Sequence, residues 1–132
     1  MPILCHACIL ALAPFALGAE PKPTPPPQPL SSTPPALVGI WTGQNYSMEI
    51  HPDLTYRASG TPNMAQVDVT GRIRIVGHTI TFTDTSGRFA CPPSQAGEYT
   101  FTVSATTLTF KVLRDPCDGR RAPLSTNPLT RK

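Results

Sequence analysis

The chain has 132 residues, a formal net charge of +3 at pH 7, 17 prolines and 4 cysteines. Its charged side chains of both signs are scattered along the sequence, which excludes the broad basic stripe that a nucleic-acid-binding protein needs. No apolar run reaches the roughly 20 residues of a transmembrane helix, so we expect no membrane-spanning segment after removal of the leader described below.

Residues 1–19 have the features of a secretory leader. They contain no Lys, Arg, Asp or Glu, and residues 9–18 form an apolar run. The small residues Gly18 and Ala19 stand where a signal peptidase would cut. We therefore predict a signal peptide over residues 1–19 and an exported protein, located in the periplasm or outside the cell.

Residues 20–36 hold eight of the 17 prolines. Such a segment cannot bury an apolar core, and it tends to form an extended, semi-rigid spacer. We predict a disordered proline-rich linker over residues 20–36 that tethers a folded domain over residues 37–132. The alternative interpretation is a ligand for a proline-recognising domain.

The folded domain contains two cysteines, Cys91 and Cys117. In an exported protein this pair indicates a disulfide, which would stabilise a small domain by roughly 3 kcal/mol. Cys5 and Cys8 form a Cys-x-x-Cys pair inside the leader, but no histidine follows Cys8 and no second cysteine pair accompanies it. We therefore predict no haem, no metal and no other cofactor.

Two hairpins can be predicted from the order of the apolar residues. In each, alternate side chains of two strands meet across a short turn, at Gly77-His78 in the first and at Ala105-Thr106 in the second. A shift of one residue would turn every apolar side chain outward, so the register is strongly specified. The predicted pairs are Ile75 with Ile80, Ile73 with Phe82, Val103 with Leu108, Phe101 with Phe110, and Tyr99 with Val112.

The other strands have weaker signals. They are predicted around residues 39–43, over 46–50, from residue 56 onward, over 66–76 with Val67 and Val69 facing inward, over 79–84, and within 124–132. Gly71 interrupts the fourth strand and predicts a bulge or a bend. Leu54 occupies a turn position that favours glycine, so we expect this turn to be strained or built differently.

About eight strands joined by short turns, with no helical pattern of useful length, predict an all-β fold. The specific prediction is a small eight-stranded antiparallel up-and-down barrel, because closure removes the exposed edges of the sheet.

The chain resembles small exported bacterial lipocalin-like domain proteins of the calycin group. The resemblance rests on five segments: Gly39-Ile40-Trp41, Glu49-Ile50-His51-Pro52-Asp53, Gly97-Glu98-Tyr99-Thr100-Phe101, Leu108-Thr109-Phe110 and Asp115-Pro116-Cys117-Asp118-Gly119-Arg120. It implies that Trp41 plugs one end of the barrel and that an arginine lies across its ring. The candidates for that arginine are Arg120 and Arg121, with Arg131 as the alternative.

The resemblance also implies a small apolar ligand in the barrel interior. The candidate ligand-binding residues are apolar, with tyrosine hydroxyls to orient a ligand: Tyr46, Met48, Tyr56, Phe82, Tyr99, Phe101 and Phe110. The alternative is that the same side chains only fill the core, since an eight-stranded barrel is just wide enough to be packed solid.

A second hypothesis is a protein-interaction module, resembling hydrolase inhibitors or serving a structural role. Its surface would be formed by residues 86–96 and 114–121, joined by the predicted disulfide, with a contact made by Arg88, Phe89, Pro92 and Pro93. We predict no enzymatic activity, because His51 and His78 both stand at hairpin turns and no catalytic motif accompanies them. We expect a monomer.

Overall fold

The structure is a computed structural model that describes Gly18, Pro23, residues 25–126 and residues 128–132. In this part of the chain, eight strands form a closed antiparallel barrel in which each strand pairs with the next and the last pairs with the first. The strands are β1 (Gly39–Thr42), β2 (Ser47–Ile50), β3 (Thr55–Ser59), β4 (Val69–Val76), β5 (Thr79–Ser86), β6 (Gly97–Val103), β7 (Thr107–Arg114) and β8 (Leu129–Arg131). The predicted all-β up-and-down barrel is confirmed.

Both predicted hairpins have the expected register. Ile75 pairs with Ile80 across Gly77, whose φ of 59° places it in the left-handed region that glycine tolerates best. Tyr99 pairs with Val112 in the second hairpin, and the remaining pairs also match. The apolar order of the sequence is therefore sufficient to fix half of the barrel.

Aromatic rings fill the middle of the barrel. Phe82 lies edge-on to three of them, with centroid distances of 5.2 Å to Tyr56, 5.7 Å to Tyr99 and 5.5 Å to Phe110. All four side chains are buried. Edge-to-face contacts of this kind add to the hydrophobic gain from burial, so the centre is a packed core.

The two ends of the barrel differ in their connections. At what we call the closed end, the hairpins turn tightly at residues 51–54, 77–78 and 104–106. At the open end, longer connections cross over residues 60–68, 87–96 and 115–128.

Trp41 and Arg131 seal the closed end. The Arg131 guanidinium lies 4.3 Å from the centroid of the Trp41 ring, and its nitrogens donate hydrogen bonds to the carbonyls of Ala36, Val38 and Ala105. Trp41 is fully buried. The preferred assignment of the stacking arginine to Arg120 or Arg121 is therefore wrong, and the alternative is correct.

A helix covers part of the open end, although none was predicted. Helix α1 (Asp118–Thr126) begins where the amides of Arg120 and Arg121 bond to the Cys117 carbonyl, and it contacts β7. It buries Leu124 completely in the core. The sequence does not predict this helix, because Gly119 and Pro123 are both poor helix formers.

Strand β4 also departs from the prediction. It begins at Val69 rather than near residue 66, and Val67 is 38% exposed instead of facing inward. The predicted irregularity at Gly71 is confirmed, since the register shifts between Thr70 and Gly71. The ring of Tyr56 lies against Gly71, in space that a β-carbon would need.

The turn before β3 is built around a leucine in the left-handed region. Leu54 has a φ of 63°, and its amide donates to the Thr33 hydroxyl, which itself donates to the His51 carbonyl. The Thr33 amide also bonds to the Pro52 carbonyl. Residues at the end of the proline-rich segment thus hold the unfavourable turn in place.

The predicted signal peptide, apart from Gly18, lies outside the described residues. Among the residues that are described, no helix is both long and apolar enough to cross a membrane.

Substitution of Gly71 by alanine should destabilise the barrel. An alanine β-carbon there would lie 2.4 Å from the Thr83 carbonyl oxygen and 2.5 Å from the Tyr56 ring. We expect Gly71→Ala to lower the free energy of unfolding by about 2–3 kcal/mol in urea titrations of the oxidised chain. The matched variant Gly119→Ala, where a β-carbon meets nothing within 4 Å, should not be destabilised. Equal stability of the two variants would contradict the packing described here.

Replacing Arg131 by lysine should weaken the closed end. Lysine retains the charge but cannot stack a planar group on Trp41 while bonding to the surrounding carbonyls. We expect a loss of about 1–3 kcal/mol in the free energy of unfolding and a changed emission spectrum of Trp41, the only tryptophan. Arg72→Lys, on the exposed face of β4, should change the stability by less than about 0.5 kcal/mol. If Arg131→Lys changed neither the free energy of unfolding nor the Trp41 emission, the stacking of Arg131 on Trp41 would make no contribution to stability.

Candidate ligand-binding cavity

A cavity of about 410 Å³ opens at the open end of the barrel. Its walls come from β3, β4 and β5, from the turn between β1 and β2, from the long connections and from α1. The lining residues that matter below are Tyr46, Tyr56, Asp84, Phe89, Arg120 and Pro123.

Arg120 lines the cavity and lies between two carboxylates. Its Nε donates to Asp115 Oδ2 at 2.8 Å and its Nη2 to Asp115 Oδ1 at 2.7 Å, while its Nη1 lies 3.0 Å from Asp84 Oδ1. All three side chains are buried. Two parallel bonds from one guanidinium to one carboxylate are the strongest ion-pair geometry available to a protein.

The disulfide fixes both carboxylates. Cys91 and Cys117 are bonded, as predicted, and their Cα atoms are 6.2 Å apart. The amide of Cys91 donates to Asp84 Oδ2 and the amide of Cys117 donates to Asp115 Oδ1, each at 2.9 Å. The cross-link therefore ties the two connections that position the carboxylates around Arg120.

Two core tyrosines complete the cluster. The Tyr56 hydroxyl donates to Asp84 and the Tyr99 hydroxyl donates to Asp115. Burial, and then the hydrogen bond to a carboxylate, raise the pKa of each phenol well above its ordinary value of 10.0. Both hydroxyls therefore stay protonated and act as donors.

Gly97 is required next to the ion pair. A β-carbon at this position would lie 2.3 Å from Asp115 Oδ2 and 3.0 Å from Arg120 Nε. The backbone of β6 can approach the buried charges only because the residue has no side chain.

The contacts within the cluster shift the pKa values of Asp115 and Arg120. Burial raises the pKa of Asp115, but hydrogen bonds from Arg120, Tyr99 and the Cys117 amide outweigh it and hold the pKa below the ordinary 3.8. Burial likewise lowers the pKa of Arg120, but its bonds to Asp115 and the charge of Asp84 outweigh burial and raise the pKa above its ordinary value. One buried guanidinium is therefore shared between two buried carboxyl side chains, those of Asp84 and Asp115.

One donor of the cluster has no hydrogen-bond acceptor. Arg120 Nη1 makes an ionic contact with Asp84, yet it forms no hydrogen bond with any residue that the structure describes. The Arg120 side chain is only 6% exposed. An unsatisfied donor in such a place is costly, so an acceptor in the adjoining cavity would be stabilising.

Tyr46 presents a second donor to the cavity. Burial, and then the negative charge of Asp84, raise the pKa of Tyr46 above 10.0, so its hydroxyl is protonated. Whereas Tyr56 and Tyr99 each donate to a carboxylate, no carboxylate among the described residues accepts a hydrogen bond from Tyr46.

The structure separates the residues predicted to bind a ligand. Tyr46 and Tyr56 line the cavity. Met48, Phe82, Tyr99 and Phe110 are buried in the core and do not line it, and Phe101 is partly buried, with its ring 6.3 Å from that of His78.

The residues predicted for a protein contact are all exposed. They are Arg88, Phe89, Pro92 and Pro93. Phe89 is 65% exposed and also lines the cavity, with the Arg88 guanidinium 4.6 Å from its ring centroid. Arg88 donates a 2.8 Å hydrogen bond to Asp68, and this bond holds the cation–π pair of Arg88 and Phe89 in place.

Neither folded-domain histidine approaches the cavity. His51 lies at the closed end, where its Nε2 contacts Glu49 at 2.7 Å, and His78 lies in the next turn of the same end. Within the part of the chain that the structure describes, one group of potential metal ligands lies close together, Asp84 with Cys91 and Cys117. Its sulfurs are joined in the disulfide, and the thiolate form is the one that binds metals.

Sequence reasoning missed Asp84, Asp115 and Arg120 as a group. They lie at the end of β5, after β7 and on α1, and only the closure of the barrel brings them together. A usable signal was present, because Asp115 stands two residues before Cys117 in a domain with one predicted disulfide.

In comparisons with known proteins, no family model matches the chain, and neither a curated protein nor a solved structure matches it significantly.

Ionisation of Asp115 should contribute to stability in a defined pH range. Because the pKa of Asp115 is lower in the folded state, its contribution is complete above the ordinary value of 3.8 and is lost as the pH falls through the lower folded value. We expect Asp115→Asn to be less stable than the wild type at pH 7, by about 3–5 kcal/mol, and the difference to shrink below pH 3.8.

Urea titrations at a series of pH values measure that difference, and Asp118→Asn on the exposed face of α1 is the control. If Asp115→Asn does not fold, the carboxyl carbon of Asp115 can be titrated by NMR in the wild type. A midpoint at or above 3.8 would contradict the ion-pair assignment.

Proposed function

We propose that the protein is an exported, lipocalin-like binding protein that holds one small, largely apolar molecule in the cavity at the open end of the barrel. The observation that carries the proposal is the 410 Å³ cavity, whose size lies within the range of ligand pockets. The aromatic rings packed around Phe82 fill the centre of the barrel, so the ligand is placed at the open end.

The wall chemistry supports this role. Tyr46, Tyr56, Val69, Phe89 and Pro123 supply apolar surface. The charged groups of the wall are few: Asp84 with Arg120, and Asp68 with its partner Arg88. Mostly apolar walls with a few fixed polar groups are the usual composition of a small-molecule site. The role proposed is binding, without a catalytic step.

Export is supported by the Cys91–Cys117 disulfide, since structural disulfides persist in oxidising compartments. The resemblance to exported lipocalin-like proteins and the predicted leader point in the same direction.

A second candidate function is the docking of a protein partner on residues 86–96. The observation that favours it is Phe89, an aromatic side chain that is 65% exposed and held by Arg88. A large exposed apolar side chain on an anchored loop is a common feature of interaction surfaces. In the first proposal the same ring forms the rim of the cavity.

Filling the cavity should abolish ligand uptake. Val69 lines the cavity, whereas Val103 is a partly buried strand residue that does not. We expect the oxidised wild type to bind one equivalent of a polarity-sensitive apolar dye, Val69→Phe to bind at least about tenfold more weakly, and Val103→Phe to bind like the wild type.

Dye fluorescence titrations measure the affinities, and circular dichroism checks that both variants fold. Absence of dye binding by the wild type, or equal weakening in both variants, would overturn the proposal.

A further inference from the structure

The polar groups of the cavity define a chemical class of ligand, an inference that rests on the binding function proposed above. Arg120 and Tyr46 both line the cavity. Arg120 Nη1 is buried just behind the cavity wall and makes no hydrogen bond with the described residues, and the Tyr46 hydroxyl is protonated. A guanidinium nitrogen can only donate, and a phenol with a raised pKa remains able to donate. A matching ligand must therefore bring an acceptor atom.

The charge of the cluster disfavours an anionic acceptor. Arg120 is already bound to Asp115 and in ionic contact with Asp84, so one guanidinium is shared between two acidic side chains. A ligand carboxylate or phosphate would add a further negative charge beside Asp84, where charges interact more strongly than in water. The acceptor that fits is therefore uncharged.

The hydrogen-bonding state of the carboxylates disfavours a cationic ligand. Asp84 already accepts from the Tyr56 hydroxyl and from the Cys91 amide. Asp68, the other carboxylate of the cavity wall, accepts from the Gly60 amide and from Arg88. An ammonium group in the cavity would face the donors of Arg120 and Tyr46, which cannot accept its hydrogen bonds. The carboxylates of Asp84 and Asp68 already accept hydrogen bonds from other groups.

We propose that the cavity selects neutral molecules that combine a compact apolar body with one carbonyl or comparable acceptor oxygen. The oxygen accepts hydrogen bonds from Arg120 and Tyr46, and the apolar body lies against Tyr56, Val69 and Phe89. The two acidic side chains around Arg120 and the donors without a hydrogen-bond acceptor together set the preference, and neither would do so alone.

A matched series of four compounds tests this preference. Butylbenzene, benzylacetone, and the amine and carboxylic acid with the corresponding carbon skeletons share one apolar body and differ in the polar group. Binding to the full, oxidised chain is measured at pH 7 by titration calorimetry, with amide NMR shifts to locate the site. We expect benzylacetone to bind at least about tenfold more tightly than butylbenzene and than either charged analogue.

A pair of single-atom variants tests the donor. Tyr46→Phe removes only the cavity hydroxyl, and we expect it to reduce the affinity for benzylacetone by about fivefold while leaving butylbenzene unchanged. Thr109→Val removes a hydroxyl from the exposed face of β7, away from the cavity and the buried cluster, so it should leave both affinities unchanged.

The outcomes separate the two proposals. If butylbenzene binds in the cavity but the amine or the acid binds more tightly than the ketone, the selectivity is refuted and the binding function stands. A ketone advantage that survives in Tyr46→Phe removes Tyr46 from the recognition and refutes the two-donor geometry. If none of the four compounds binds, both proposals fail.

Discussion

The arrangement of the open end depends on one buried guanidinium held between two carboxylates. Arg120 joins Asp115, which follows β7, to Asp84, which lies on β5, and it does so from helix α1. Taking these charges out of water is costly, and leaving one of them without its partner costs several kcal/mol. Helix α1 must therefore sit where Arg120 reaches both aspartates, and that requirement positions the helix over the end of the barrel.

Other features of this end follow from the same constraint. The disulfide holds the backbone of Cys91 and Cys117 so that each amide bonds to one of the two aspartates. Gly97 leaves the space that the ion pair occupies. Trp41, Arg131 and the tight turns seal the opposite end. The plug of the barrel and the cavity therefore lie at opposite ends of one small domain. A packed centre allows the open end to hold a cavity without loss of the core.

The sequence predicts the barrel better than it predicts the site, for a physical reason. Strand pairing is local, and the alternation of Ile73, Ile75, Ile80 and Phe82 specifies a register within ten residues. The disulfide was also predictable, because the folded domain has only two cysteines. The buried cluster is different, because its members are distant in the chain and each alone resembles an ordinary surface charge.

Three features that the sequence did not predict correctly, helix α1, the position of Val67 and the stacking arginine, also have local causes. Helix α1 contains a glycine and a proline, and tertiary contacts through Arg120 and Leu124 outweigh their poor helix propensity. Val67 follows the strand alternation but precedes β4, whose first paired residue is Val69. The sequence favours Arg120 or Arg121, near the last strand, as the stacking arginine, whereas the closure of β8 on β1 brings Arg131 to Trp41.

The measurement that tests the central claim most directly is a high-resolution crystal structure of the oxidised protein. We expect Arg120 to contact both Asp84 and Asp115, and ordered density for a water or a bound molecule in the cavity, within about 3 Å of Arg120 Nη1. A structure in which Arg120 points into solvent, or in which side chains from α1 fill the cavity, would contradict the account.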